Sequence, residues 1–137
     1  MDSLTQLTLG AAVGEATLGK SAGNRAIMWG AIAGTLPDLD VIANPLLDEI
    51  TQLGWHRGPS HAFFFLTIGA PILGWLISRV HGKYGSWRQW TVLVYFAFIT
   101  HVILDTFTVY GTQLFRPFSH YPAAFNSISI IDPLYTL

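Results

Sequence analysis

The sequence predicts an all-α fold: a multi-pass membrane helical bundle of about four helices with a short interfacial helix. Three observations predict it. Of 137 residues, 51% are hydrophobic and only 11% charged, against roughly 25% charged in an ordinary soluble domain. Four apolar segments follow one another along the chain, and five of the seven Lys and Arg residues fall in two short loops between them. The length suits one domain, 1–137. Its tail, SISIIDPLYTL, stops on an apolar stretch with neither a cap nor a charge cluster, which predicts the N-terminal part of a longer chain. An aromatic content of 14% excludes a disordered chain. A net charge of −1 offers no basic field for nucleic acid. The absence of cysteine removes disulfides, thiolate metal sites and cysteine nucleophiles together.

Leu4 to Gly19 is apolar and rich in small residues, broken by Glu15. A cleaved signal peptide would need a basic start, but Asp2 comes first and Lys20 is the first base, so this segment reads as a retained helix. Ala26 to Pro37 is apolar but short. Gly10 and Gly14 in the first segment, and Gly30 and Gly34 in the second, are spaced to let helix backbones approach closely in lipid, which predicts a tightly packed hairpin. Val41 to Trp55 mixes apolar and acidic residues and reads as the interfacial helix. Ala62 to Ser78 is free of charge and close to the ~20 residues that span a bilayer, and Gln89 to Leu104 carries one histidine in an otherwise apolar run.

The loops orient the bundle. Lys20 and Arg25 lie between the first and second segments, and Arg79, Lys83 and Arg88 between the third and fourth. An up-down-up-down topology puts both loops on one side, and the positive-inside rule makes that side cytoplasmic. His81, in the second of these loops, is expected to be solvated. The opposite side collects Asp2, Asp38, Asp40, Asp48, Glu49, His56, Arg57, His61, Asp105, Arg116 and His120.

Three motifs there carry chemistry. In Leu36-Pro37-Asp38-Leu39-Asp40 the proline disfavours helix at the residue before it, so both carboxylates lie at the mouth of segment two. Solvated end-of-helix acids are the plain alternative. In His56-Arg57-Gly58-Pro59-Ser60-His61 the proline suits a first helical turn, where free N–H groups and Arg57 favour an anion; an interfacial anchor is the alternative. His101 and Asp105, four residues apart, share one helix face, which Thr108 and Thr112 continue. A lone histidine in an apolar helix is often a packing residue, but an ionisable pair inside a membrane helix is costly and usually faces a polar cavity. On antiparallel neighbours of this length, Asp38, His61 and His101–Asp105 reach similar heights. Mixed imidazole and carboxylate ligands suit zinc, manganese, iron or nickel rather than calcium. The set exceeds one tetrahedral site, so either two ions bind or some residues stand behind the ligands. Gln6, on the same side, could bond a ligand or a helix neighbour. Nucleophile-elbow, phosphate-loop and dinucleotide glycine patterns are absent.

The successive blocks MDSLTQ, GAAVGEATLGK, GTLPDLDV, HRGPSHAFFF, THVILDTFTVYGTQLFRPFS and IIDPLYTL cover nearly the whole chain. In this order they resemble the YdjM/YbcI-like family of bacterial inner-membrane proteins, which are described as metal-dependent hydrolases on largely inferred grounds. The resemblance implies roles for Asp38, Asp40, His56, His61, His101 and Asp105, which match the family's LPDxD, HRGxxH and HxxxD blocks. Many members carry a histidine where this chain has Gln6, and a threonine where it has Ser60.

The functional expectation is therefore a membrane-bound, metal-dependent hydrolase of the bacterial inner (cytoplasmic) membrane, with its site at the non-cytoplasmic mouth. Asp38, Asp40, His61, His101 and Asp105 are the expected ligands of a divalent ion, zinc or manganese. His56 serves as ligand or general base, and Arg57 holds a developing anion. A phosphoester or lipid-like anionic substrate follows from an anion-ready arginine beside a metal. The rival expectation is a non-enzymatic metal-ion or proton relay or transport protein, which needs polar groups continuing toward the cytoplasm; only Glu15 offers one. A purely structural bundle, with histidines and aspartates capping helix ends, is the third.

Overall fold

The computed structural model describes residues 3–39, 61–108, 112–119 and 121–125. Over those residues it is all-α, with four helices: α1 (Ser3–Ala22), α2 (Asn24–Thr35), α3 (Phe63–His81) and α4 (Trp87–Thr106). Among the described residues there is no strand, only an isolated bridge between Thr112 and Ala123 that closes the loop after α4. The interfacial helix expected over Val41 to Trp55 lies outside the described residues.

A single residue separates α1 from α2. Gly23 takes φ 55, a left-handed value that a side chain would resist, and its N–H donates to the Gly19 carbonyl at 2.8 Å. The hairpin closes on its small residues. A Cβ on Gly10 would strike the Gly30 carbonyl, one on Gly14 the Ala26 carbonyl, and one on Gly34 would lie 2.6 Å from the Gln6 carbonyl. The two glycine pairs therefore face each other, and backbone packs on backbone.

Beyond Thr35 the chain tightens into a 3-10 turn over 36–39, which holds Pro37 and Asp38. Pro37 has no N–H to extend the α-helical ladder. Within α3, Pro71 leaves the Thr67 carbonyl without its usual donor, a break that helices in lipid tolerate. A reciprocal cap starts α4: the Ser86 hydroxyl accepts from the Gln89 N–H, and the Gln89 side-chain oxygen accepts from the Ser86 N–H at 2.8 Å.

Helix α4 is the centre of the bundle, packing on α1, α2 and α3. Ten of its residues are buried, and Trp90, Leu93, Val94 and Ala97 meet Leu66, Ala70 and Ile77 of α3 in the apolar core. Among the described residues two helices, α3 and α4, are long and apolar enough to cross a membrane. Only 22% of the most apolar stretch of α3 is buried, which leaves Phe64, Ile68, Ile72 and Trp75 facing outward.

The two basic loops meet at one end, where the Arg25 guanidinium lies 4.0 Å from the centre of the Tyr84 ring. His81 is not solvated there as the sequence suggests. It is half-buried, with Trp29 and Trp90 ring centres each 6.2 Å from its own. Aromatic side chains from α2 and α4 close over this turn because the packed helices bring them to one end.

Candidate metal centre

The alternating helix directions bring the start of α1, the end of α2, the residues just before α3 and the end of α4 to the end away from the basic loops. Gln6, Asp38, His61, His101 and Asp105 occupy those places. Four of them form one cluster: single ligand atoms of Asp38, His61, His101 and Asp105 all lie within 4.8 Å of one another. His61, His101, Asp105 and Gln6 are completely buried, whereas the Asp38 side chain is 20% exposed, so the cluster opens on the Asp38 side.

Five of the six separations are close to uniform. The two Nε2 atoms of His61 and His101 are 3.1 Å apart. His61 Nε2 is 3.4 Å from Asp38 Oδ1 and 3.2 Å from Asp105 Oδ2. For His101 Nε2 the corresponding distances are 3.4 Å and 3.6 Å. Ligand atoms bound tetrahedrally to a zinc-sized ion at about 2.0–2.1 Å stand about 3.3–3.4 Å from each other. Five edges of the cluster thus match the edges of such a tetrahedron within a few tenths of an ångström. The residues fit the ion that the family resemblance implies.

The histidine protonation agrees with this use. His101 Nδ1 lies 2.6 Å from the Gly34 carbonyl oxygen. A carbonyl only accepts, so Nδ1 carries the proton, and in the neutral ring Nε2 presents its lone pair to the cluster. Gly34 has a second role here: it packs against α1 and leaves its carbonyl for His101. Gln6 Nε2 donates to Asp105 Oδ1 and to the His101 carbonyl, each at 3.3 Å. One carboxylate oxygen is thereby held by α1, while the other faces the histidines. Thr108, buried beyond Asp105, donates its hydroxyl to the Asp105 carbonyl at 2.7 Å and satisfies the end of α4. Thr112 is also buried, and its backbone pairs with Ala123.

Charge reinforces the arrangement. With the side chains alone, burial opposes ionisation of Asp38, but the imidazoles of His101 and His61 at its carboxylate outweigh it and hold the carboxyl well below the usual carboxylate range; a bound ion would take over that role and release the proton. Burial likewise disfavours the charged form of His61, and the hydrogen bonds to Asp105 and Asp38 outweigh it, raising its pKa above 6.5. Each group is matched to the charge of its neighbours.

Of the expected ligands, Asp38, His61, His101 and Asp105 are brought together; Asp40, His56 and Arg57 lie outside the described residues. Gln6 is the residue whose part the sequence leaves open. Gln6→Leu keeps the volume and removes both hydrogen bonds. It is expected to weaken metal binding about 10- to 100-fold, the usual cost of losing a group that orients a ligand. Competition against a chelator of known affinity measures it, and unchanged binding would show that Asp105 needs no such hold.

The chain is 33% identical to YfhP of Bacillus subtilis over 143 aligned positions, which take in 97% of this chain and 42% of YfhP. The chain thus spans less than half the length of that relative. No solved structure matches it with significance. The family model for YdjM inner membrane proteins matches residues 1–137, end to end. With the packed helical bundle, the apolar outward faces and the His/Asp cluster, this places the chain in the YdjM inner membrane protein family.

Proposed function

We propose that the protein is a multi-pass, membrane-bound, metal-dependent hydrolase whose centre is the Asp38–His61–His101–Asp105 cluster at the non-cytoplasmic mouth of the bundle. The close spacing of two imidazole nitrogens and two carboxylate oxygens, five of whose six edges match a tetrahedral ion's, three of the four side chains being fully buried, is the observation that carries this reading. A divalent ion, zinc or manganese, supplies when bound an acidified water at neutral pH and a Lewis acid for the scissile group. The protein's own residues do the rest. His101 is locked by Gly34 and Asp105 by Gln6, so neither ligand has to reorganise. Asp38 forms the exposed side, where a substrate enters. Asp40 would add a carboxylate near Asp38, His56 would take the proton from water, and Arg57 would hold the charge that develops on the substrate. The reaction breaks one ester bond, a phosphoester for preference, and adds the elements of water across it.

The rival relay reading needs polar groups leading away from the cluster. Among the described residues the core in that direction is built from Leu66, Ala70, Ile77, Leu93, Val94 and Ala97. Glu15 is exposed on α1 and does not enter it. A continuous path for ions or protons would have to run through apolar packing.

Elemental analysis of the detergent-purified protein, supplied with zinc or manganese, tests the proposal beside an Asp38→Ala/His101→Ala variant of matched helicity. Stoichiometric ion in the parent and none in the variant is the expected result. The same parent is then assayed on a soluble short-chain phosphodiester. Absence of metal from both proteins would end the hydrolase reading.

A further inference from the structure

A groove of about 370 Å³ opens on the outer face of α3, lined by Phe63, Phe64, Thr67, Ile68, Leu114, Phe115, Arg116 and Phe118. Its volume falls within the range of ligand pockets, about 300–1,000 Å³. One wall is the first two turns of α3, the other the loop that follows α4. The Phe63 N–H donates to the Leu114 carbonyl at 3.0 Å, which fixes the loop against the start of the helix. Phe63 and Phe115 meet edge to face at 6.5 Å between ring centres, and Phe64 and Phe118 at 6.1 Å. His61 lies two residues before Phe63, so groove and cluster share one end of the bundle.

The lining selects its occupant. Seven of the eight residues offer no charge, and the hydroxyl of Thr67 is already given to the Phe63 carbonyl at 2.7 Å. Little in these walls would hold a polar molecule against water, whereas an alkyl chain would leave water for aromatic and aliphatic surface. Phe118 is 83% exposed, a large apolar surface on a chain that belongs to a membrane family. The single cation is Arg116, and an arginine at a membrane interface buries its stem and presents its head to the polar layer.

We infer that this groove binds the acyl chain of an anionic lipid, with Arg116 drawing the charged headgroup toward the end of the bundle that carries the metal cluster. The inference deepens the proposed function by naming its substrate class, and it rests on that reading for the reaction but not for the binding.

Photolabelling tests it on the intact chain. The protein is placed in phosphatidylcholine vesicles containing a trace of phosphatidylglycerol with a diazirine on its acyl chain, or of phosphatidylcholine with the same group. After irradiation, labelled residues are mapped by mass spectrometry. Label from phosphatidylglycerol is expected on Phe64, Thr67, Ile68 and Phe118, exceeding that from phosphatidylcholine by about fivefold, the gain from one arginine near an anionic headgroup. Arg116→Gln should remove the preference between the two lipids. Ile68→Trp, at an outward-facing position that does not threaten the core, should fill the groove and cut its labelling by about tenfold. Phe118→Ala, on an exposed loop, offers a second test with the opposite change in volume and should also lower the label. Even labelling along the outer faces of α3 and α4, or labelling unchanged in both Ile68→Trp and Phe118→Ala, would overturn the inference. Labelling requires no turnover. A failed hydrolase reading therefore shows as missing hydrolysis with the groove pattern intact, and a failed groove as a lost pattern whatever hydrolysis does.

Discussion

His101→Ala is expected to cost the protein its ion and about 3–5 kcal/mol of stability, the range seen when one partner of a buried charged network is removed. Two losses act together. The Gly34 carbonyl loses its 2.6 Å donor, and a buried carbonyl left without one costs about 1–3 kcal/mol. Asp38 and Asp105 also lose one of the two imidazoles that sit 3.4 Å and 3.6 Å from them. These costs belong to one network and do not simply add. Thermal unfolding in detergent separates the metal from the packing. An ion at about 1,000 times its dissociation constant stabilises the folded state by about 4.1 kcal/mol. The parent should show that rise with zinc or manganese, and His101→Ala should show none. Asp105→Asn is the companion: it keeps the side-chain volume and removes the charge, so it should fold better than His101→Ala yet lose most of the metal-induced rise. A rise of parental size in His101→Ala would mean that the ion binds elsewhere.

Much of this site is legible before any folding, because its residues obey local rules. His101 and Asp105 are one helical turn apart, and Pro37 fixes a helix end beside Asp38. The alternation of basic loops with His/Asp motifs then fixes which helix ends meet. Gln6 is harder to read. An uncharged amide in an apolar helix has no periodic signal, and only its place at the start of α1 hints that it faces Asp105. The surroundings of His81 are harder still, since Trp29 and Trp90 reach it from two other parts of the chain. Position in a basic loop predicts solvation, but the depth of that turn depends on aromatic bulk above it. Likewise, each glycine pair taken alone says only that a close approach is allowed. That Gly10 and Gly14 meet Gly30 and Gly34, rather than α3 or α4, follows from the one-residue turn at Gly23.

That hairpin carries the second large effect. Gly30→Leu is expected to destabilise the protein by about 3 kcal/mol or more, at or beyond the upper end for overpacked positions. A Cβ there meets the Gly10 carbonyl, and the Gly14 Cα at 2.8 Å and N at 2.9 Å would be closer than any contact allows. These are backbone atoms of a helix, which cannot rotate away as a side chain would. Relief requires α1 and α2 to separate, and the site feels it, because α1 carries Gln6 and α2 carries Gly34 and leads into Asp38. Loss of thermal stability in Gly30→Leu should therefore be accompanied by weakened metal binding, although residue 30 touches no ligand. Gly69→Ala provides the contrast on α3. Its added methyl group would meet only the edge of Phe98 at 3.8 Å, an ordinary contact. Alanine is favoured over glycine by about 1 kcal/mol inside a helix, so Gly69→Ala should be neutral or stabilising and bind metal as the parent does. Equal unfolding temperatures for Gly30→Leu and Gly69→Ala would mean that the close approach of α1 and α2 does not hold the bundle together. A Gly30→Leu protein that unfolds early yet binds metal normally would mean that Gln6 and Asp38 keep their places without the hairpin.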